Sequence, residues 1–65
     1  MKFDVNIYKE SGEFVSSITL DSEHDYVDRI PVTTISLAER YMKKYILKPE
    51  QYCIVHTLRS TKVIR

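Results

Sequence analysis

The chain has 65 residues, of which 43% are hydrophobic and 29% are charged, and its formal net charge is +1. This length allows one small domain, and this composition excludes a disordered segment. The single cysteine, Cys53, excludes an intrachain disulfide, and no grouping of Cys and His predicts a zinc site, so we expect no metal and no cofactor. No run of 18 apolar residues is present, and the opening MKFD is not typical of a signal peptide, so we expect a soluble, cytoplasmic protein without a membrane span.

The first 20 residues predict a β-hairpin. Residues 2–8 alternate between apolar and polar side chains, which is the period of a strand with one buried face. Gly12 is the only glycine and permits positive φ, so residues 9–13 are predicted to form the hairpin loop, with the return strand at 14–20. The side chains predicted to share a face are Phe3, Val5 and Ile7 in the first strand, and Phe14, Ser16, Ile18 and Leu20 in the second.

Residues 21–34 leave three alternatives open: a short helical turn, a continued strand or an ordered loop. Residues 36–48 predict an amphipathic helix, because Ser36 and Glu39 fit a capping box and Pro49 ends the helix at about residue 47 or 48. Its predicted apolar half contains Leu37, Ala38, Tyr41, Met42, Tyr45 and Ile46.

Residues 52–58 predict a strand with apolar side chains on both faces, which indicates a central position or contact with another molecule, a second copy included. Residues 59–62 then read as a turn or edge, and residues 63–64 as a last short strand or tail. The order is β-β-(short element)-α-β. It predicts a single α+β domain over residues 1–65, in which the N-terminal hairpin and the C-terminal strand form a small antiparallel sheet with one helix packed on one face.

Charge is distributed unevenly along the chain. Residues 1–30 carry three basic and seven acidic side chains, whereas residues 31–65 carry seven basic and two acidic ones. Either one face binds a partner of opposite charge, or the two sets are solvated faces that intermix in space. The predicted helix carries a basic face that would suit nucleic-acid phosphates or an acidic protein surface: Arg40, Lys43, Lys44 and Lys48. A glycine-rich loop and an aromatic pair at RNA-binding spacing are missing, and the isoelectric point is only about 7.9.

Four acidic residues surround His24 in the segment before the helix: Asp21, Glu23, Asp25 and Asp28. They fail the pattern of a calcium loop, which needs glycine at its sixth position, where this chain has Tyr26. A solvated acidic turn is one interpretation, and an acidic surface that engages a basic groove on a partner is the other. Tyr8 and Tyr26 are expected outside the core, where tyrosine is a good interface residue.

No catalytic arrangement is predicted. Cys53 and His56 are three residues apart in the same strand, which places them on opposite faces and prevents them from acting as nucleophile and base. A single glycine also excludes a phosphate-binding loop. We therefore expect that the protein is not an enzyme.

Three segments carry a resemblance to a known group of proteins: the hairpin YKESGEFVSSITL, the helix TTISLAERYMKKYI and the strand QYCIVHTL. With the acidic stretch between them, this layout resembles small phage-encoded host-takeover proteins, in particular T-even phage antitoxins of the Dmd type. The resemblance implies a stoichiometric inhibitor that blocks a host protein by direct contact. The alternatives are a small nucleic-acid-binding regulator that uses the basic helix face and the C-terminal tail, and a homodimer formed through strand 52–58.

Overall fold

The computed structural model describes all residues from 1 to 65 and confirms the predicted α+β class. Four strands form an antiparallel sheet in the order β2-β1-β5-β6, and two very short strands form a separate hairpin, β3-β4. One helix packs against the larger sheet, and it is neither long nor apolar enough to cross a membrane. The elements are β1 (Lys2–Lys9), β2 (Phe14–Asp21), β3 (Tyr26–Val27), β4 (Ile30–Pro31), α1 (Ile35–Tyr41), a π-helical segment (Met42–Ile46), β5 (Gln51–His56) and β6 (Thr61–Ile64).

The core lies between α1 and one face of the large sheet, which we call the inner face. The predicted alternation in β1 is confirmed, because its three odd-numbered apolar side chains are buried on this face. The hairpin β3-β4 closes one side of the core with Val27, and Val32 just after it is also buried. The buried residues are Phe3, Val5, Ile7, Leu20, Val27, Val32, Ala38, Met42, Cys53, Val55 and Ile64.

The position of Phe14 differs from the prediction. Ile7 pairs with Ser16, whereas the next residue, Tyr8, pairs with Phe14, so Val15 is an extra residue that forms a β-bulge. Because each residue of a strand points to the opposite face from its neighbour, the bulge moves Phe14 away from Ile18 and onto the opposite, outer face. The predicted common face of Phe14 with the rest of β2 is therefore wrong.

The segment left open by the sequence, residues 21–34, forms a turn followed by the hairpin β3-β4. Asp28 and Arg29 connect the two short strands, and both have positive φ, 51° and 67°. Two successive residues with positive φ are typical of the type I′ turn, whose twist matches that of a hairpin. The backbone N–H of Val32 donates to the carbonyl of Asp25 at 3.0 Å, which holds the end of this hairpin against its beginning.

Helix α1 begins two residues earlier than a cap at Ser36 would allow. Thr34 is the N-cap, and its hydroxyl accepts a hydrogen bond from the N–H of Leu37 at 3.2 Å. The predicted capping box is therefore wrong, and Glu39 is free to form the ion pairs described below. The cause is local: Thr34 has extended backbone angles and a suitable hydroxyl, so it satisfies the helix end before Ser36 is reached.

The apolar half of the helix is only partly buried. After Tyr41 the helix widens into its π-helical segment, in which the N–H of Leu47 donates to the carbonyl of Met42, five residues earlier. Tyr45 therefore lies outside the core and is 54% exposed, and Ile46 is 36% exposed. The prediction that both side chains belong to the buried half of the helix is wrong. The predicted end of the helix is confirmed to within one residue, because Leu47 is already extended.

Strand β5 lies between β1 and β6, and this central position was one of the two alternatives that the sequence left open. Its inner face carries Cys53 and Val55, both fully buried, whereas Tyr52 and Ile54 point to the outer face. Leu58 was predicted to share the face of Tyr52 and Ile54, but it lies beyond the end of β5 and is fully exposed in the turn before β6.

Candidate interaction surfaces

The outer face of the large sheet is not covered by any other element, since α1 and β3-β4 lie on the inner side. Phe14 and Val63 are 55% and 51% exposed there, which is high for side chains of their kind. The pairing of Tyr8 with both Phe14 and Tyr52, and of Ile54 with Val63, makes the apolar side chains neighbours. This outer-face cluster consists of Tyr8, Phe14, Tyr52, Ile54 and Val63.

Aromatic contacts organise the outer-face cluster. The ring centroid of Tyr8 is 5.8 Å from that of Phe14 in an edge-to-face arrangement, and 5.4 Å from that of Tyr52 in a stacked one. The guanidinium of Arg65 lies 4.4 Å from the ring centroid of Tyr52, on the side of β6. Tyr52 is therefore flanked by Tyr8 on one side and by Arg65 on the other, which holds all three side chains in a defined arrangement.

The opposite end of the outer face is polar. His56 lies within hydrogen-bonding distance of the Asn6 amide nitrogen at 3.5 Å and of the Thr61 hydroxyl at 3.2 Å. Thr19 donates from its hydroxyl to the Asp4 carboxylate at 3.3 Å. The outer face thus combines an aromatic and apolar half with a hydrogen-bonding half.

The basic face predicted on the helix is bridged by carboxylates from elsewhere in the fold. Asp28, at the tip of the β3-β4 hairpin, accepts hydrogen bonds from Lys44 and from Arg40, the latter at 2.9 Å. The hydrogen bond from Lys44 holds the pKa of the Asp28 carboxyl below its ordinary value, and the charge of Arg40 acts in the same direction. The acidic first half and the basic second half of the chain therefore intermix here.

Glu39 has the same role on the other side of the helix. Its carboxylate binds Lys62 of β6 at 2.7 Å and Lys43, one turn along the helix, at 3.1 Å. The hydrogen bonds from Lys62 and then Lys43 lower the pKa of the Glu39 carboxyl. Lys48 was predicted on the helix but lies beyond its end, and of the four basic residues predicted as a binding face it is the only one without a carboxylate partner.

Replacement of Glu39 by glutamine is expected to change how stability depends on pH. Because the pKa of Glu39 is lowered by folding, its contribution is present above the ordinary value of 4.5 and is lost as the pH falls through the lower value in the folded protein. The melting temperature of Glu39→Gln should lie below that of the wild type at pH 6, and the difference should shrink towards pH 3. Glu50→Gln, at an exposed carboxyl with no ion pair, is the control and should show no such trend. A pH-independent difference for Glu39→Gln would contradict this assignment.

The acidic segment before β3 is organised by its own carboxylates. Asp25 accepts the backbone N–H of Asp21 at 2.7 Å and the hydroxyl of Tyr41 at 3.3 Å. Burial raises the pKa of Tyr41, and the charge of Asp25 raises it further. Asp21 accepts the N–H of Glu23 at 2.9 Å, and this hydrogen bond lowers the pKa of the Asp21 carboxyl. Asp21 and Asp25 thus stabilise the turn, whereas Glu23 projects into solvent.

One potential ligand atom from each of Asp21, Glu23 and His24 lies within 4.8 Å of the others. His24 and Glu23 are exposed, and the nearest approach of the His24 ring to the Asp21 carboxylate is 3.7 Å. Exposed acidic groups at such distances are common without a metal ion. Tyr26, predicted as an interface residue, is 49% exposed beside this turn, whereas Tyr8 lies in the outer-face cluster.

Cys53 and His56 lie on opposite faces of β5, as their spacing predicts. The thiol of Cys53 is fully buried, and burial is the main cause that raises its pKa to about 11. His56 faces outward and contacts Asn6 and Thr61. No hydrogen bond joins the two side chains, so they do not form a nucleophile and base pair.

The thiol of Cys53 is expected to be almost inert in the folded protein. A rise in pKa from 9.0 to about 11 lowers the thiolate fraction at pH 8 about 100-fold, and burial excludes the reagent as well. Ellman's reagent should therefore label the native protein at least about 100-fold more slowly than the chain unfolded in urea. Comparable rates in the two states would show that this part of the core opens readily.

A shallow pocket of about 390 Å³ lies between the start of α1 and the turn that joins β5 to β6. Phe3, Ile35 and Leu58 contribute apolar side chains to it, and no Asp, Glu, His or Cys lines it. The hydroxyl of Ser60, one of those that line the pocket, is hydrogen-bonded to Thr57 rather than to a base. The pocket therefore contains no nucleophile and base pair.

In comparisons with known proteins, no protein family, curated protein or solved structure was found to match this chain. Its surfaces are therefore the basis for the functional proposal. Sequence reasoning placed Tyr8 on the surface but missed Phe14, Val63 and Arg65 as its neighbours. Residues 61–65 show no regular alternation of apolar and polar side chains, so nothing in the sequence placed Val63 and Arg65 on this face, and the bulge concealed the position of Phe14.

Proposed function

We propose that the protein is a non-catalytic protein-binding module, an inhibitor or antitoxin of the phage type that blocks a host protein in the cytoplasm by direct stoichiometric contact. The observation that carries the proposal is the uncovered outer-face cluster. The resemblance of the sequence to phage antitoxins agrees with this function. A partner protein would bury the cluster as the inner face is buried by α1.

The composition of the outer face favours a protein as its partner. Tyrosine, phenylalanine and arginine are enriched at the centres of protein interfaces, and aromatic rings such as that of tyrosine supply a large contact area at a low cost in conformational entropy. Tyr8 and Tyr52 already stack on each other, so little further ordering is needed when a partner binds. The polar half around His56 would supply the hydrogen bonds of the interface rim.

The nucleic-acid alternative has less support. Phosphate binding would require Arg40, Lys43 and Lys44 to leave their carboxylate partners, and Asp28 and Glu39 would repel the phosphates. Base stacking on Tyr52 would require the displacement of Tyr8 or Arg65. The remaining alternative is that the partner is a second copy of the chain. The experiment below tests this alternative and the nucleic-acid alternative together.

The decisive experiment is site-specific photo-crosslinking in a lysate of the host cell. One protein carries a photoreactive amino acid at Val63 in the outer-face cluster, and the matched control carries it at Lys48, which is exposed and unpaired between the helix and β5. We expect Val63 to give one protein adduct that survives nuclease treatment and saturates at one partner per chain, and Lys48 to give none. Adducts from Lys48 that disappear with nuclease would overturn the proposal in favour of nucleic acid. A Val63 adduct with a second copy of the chain would overturn it in favour of a homodimer.

A further inference from the structure

Strand β2 is an edge of the sheet that lacks the usual protection. Natural edge strands are commonly kept short or carry lysine or proline, because unpaired backbone groups invite another strand. β6, the opposite edge, has four residues and contains Lys62. β2 has eight residues, and from Phe14 to Leu20 it contains no charged residue and no proline.

Hydrogen bonds outside the strands show which backbone groups of β2 point away from β1. Ser22 donates its N–H to the carbonyl of Met1 at 3.0 Å, and bonded pairs alternate along an antiparallel ladder. Because Met1 and Ser22 are a hydrogen-bonded pair, every second residue of β2 before Ser22, that is Leu20, Ile18 and Ser16, directs its backbone N–H and C=O groups towards β1. Ser17 and Thr19, which lie between them, direct their N–H and C=O groups outward from the sheet.

The outward backbone groups have hydrogen-bond partners within the protein at only one end of the strand. At Asp21 the outward N–H is bound by the Asp25 carboxylate, and the carbonyl accepts the N–H groups of His24 and Asp25. No backbone hydrogen bond outside the sheet involves residues 14–20. The segment Val15–Thr19, which we call the open edge, therefore presents unpaired groups at Ser17 and Thr19 next to the exposed ring of Phe14.

Charge identifies the kind of strand that would pair there. From Glu10 to Asp28 the chain contains six acidic residues and no lysine or arginine. At one end of the open edge Glu10 is exposed and has no ion pair, whereas Glu13 is paired with Lys9 at 3.2 Å. At the other end Glu23 is exposed and has no ion pair, whereas Asp21 lies opposite Lys2 in the sheet. If a second copy paired with this edge in the antiparallel direction, its acidic residues would lie against the acidic residues at the two ends of the open edge, and the charges would repel. A strand with basic residues at its ends would instead be attracted to them.

We infer that the open edge of β2 binds an extended segment of the partner protein as a fifth strand of the sheet, and that lysine or arginine residues flank this segment. The inference rests on the proposed function and names the chemistry of the partner. Main-chain hydrogen bonds to Ser17 and Thr19 supply affinity in this mode, and side chains next to Phe14 and the flanking charges supply selectivity. The added strand would also extend the outer face of the sheet beside the outer-face cluster.

The first test uses synthetic peptides and amide hydrogen exchange measured by NMR. The probe is the peptide KKTVTVTKK, and the matched control is EETVTVTEE, which has the same strand-forming centre and acidic flanks. At millimolar peptide, the basic probe should slow exchange of the Ser17 and Thr19 amides at least about tenfold, and the acidic control should not. Exchange that is unchanged with the basic probe, or slowed equally by both peptides, would overturn the inference.

The second test uses variants of the whole chain. Ser17→Pro removes an outward N–H without removing a hydrogen bond to β1, and Ser17→Thr, which keeps the N–H, is its control. Ser17→Pro should weaken binding of the basic probe at least about tenfold, and Ser17→Thr less than about twofold. Because proline could perturb folding, Glu10→Lys combined with Glu23→Lys gives a second measurement. That pair alters only exposed side chains and should also weaken binding of the basic probe.

The photo-crosslinking experiment separates failure of this inference from failure of the proposed function. If the Val63 adduct forms with equal yield in Ser17→Pro and Ser17→Thr, the open edge is not used and the proposed function stands. If no protein adduct forms in either variant, the proposed function fails and the inference fails with it. A dimer in sedimentation that is lost in Ser17→Pro would assign the open edge to a second copy and overturn the inference.

Discussion

Replacement of Met42 by alanine is expected to unfold a large part of the protein population. Met42 is the largest fully buried side chain of the helix, and it packs in the core between the helix and the sheet. Truncation of a buried methionine to alanine costs about 2–5 kcal/mol, because apolar contacts are lost and a cavity remains. A core of this size supplies about 3–5 kcal/mol in total.

The measurement is urea unfolding of Met42→Ala followed by circular dichroism. Met42→Leu conserves most of the volume and should cost less than about 1.5 kcal/mol. Leu58→Ala shortens a fully exposed apolar side chain and should leave the free energy of unfolding unchanged within about 0.5 kcal/mol. A free energy of unfolding for Met42→Ala within about 1 kcal/mol of the wild type would show that the helix contributes little to the core.

Replacement of Ala38 by leucine is expected to push the helix away from the sheet. Ala38 is fully buried one turn before Met42, on the inner face of the helix. A larger side chain at such a position forces strained rotamers or a shift of the backbone, which costs about 1–3 kcal/mol. Helix propensity does not account for such a loss, because leucine is nearly as good a helix former as alanine.

Ser36→Leu is the matched control for Ala38→Leu, because it introduces the same side chain at an exposed position of the same helix. We expect the melting temperature to fall in Ala38→Leu and to change little in Ser36→Leu. The thiol of Cys53, also on the inner face, should become more reactive in Ala38→Leu as the helix moves away. Equal stability of the two variants would mean that the space at Ala38 is larger than its burial indicates.

The parts of the fold that depend on a local sequence signal, such as alternating apolar residues or a proline, were predictable. The alternation of β1 identified Phe3, Val5 and Ile7 as core residues, and Pro49 placed the end of the helix within one residue. The bulge at Val15 was not predictable, because two apolar residues followed by two serines, Phe14 to Ser17, are compatible with either face of the strand for Phe14. One inserted residue moved Phe14 from the core to the candidate interface.

The hairpin β3-β4 shows a second limit of local reasoning. Aspartate enters the positive φ region readily, but arginine does so rarely, so nothing in the sequence marked Arg29 as a turn residue. The contacts that favour this turn come from far along the chain, since Asp28 binds Arg40 and Lys44. The uneven charge of the two halves was visible in the sequence, but the way the fold pairs those charges was not.

The position of β1 in the sheet has a consequence for how the protein folds. β1 pairs with β2 across a short loop, but its partners in β5 lie between 42 residues away, for Lys9 and Gln51, and 52 residues away, for Asp4 and His56. Pairing of distant segments is slow, because chain entropy is lost before any contact is gained. The first hairpin should form early, and the joining of β1 to β5 should limit the folding rate. Until that step is complete, β1 has a free edge of its own in addition to the open edge of β2, so the newly made chain can associate wrongly at either of them.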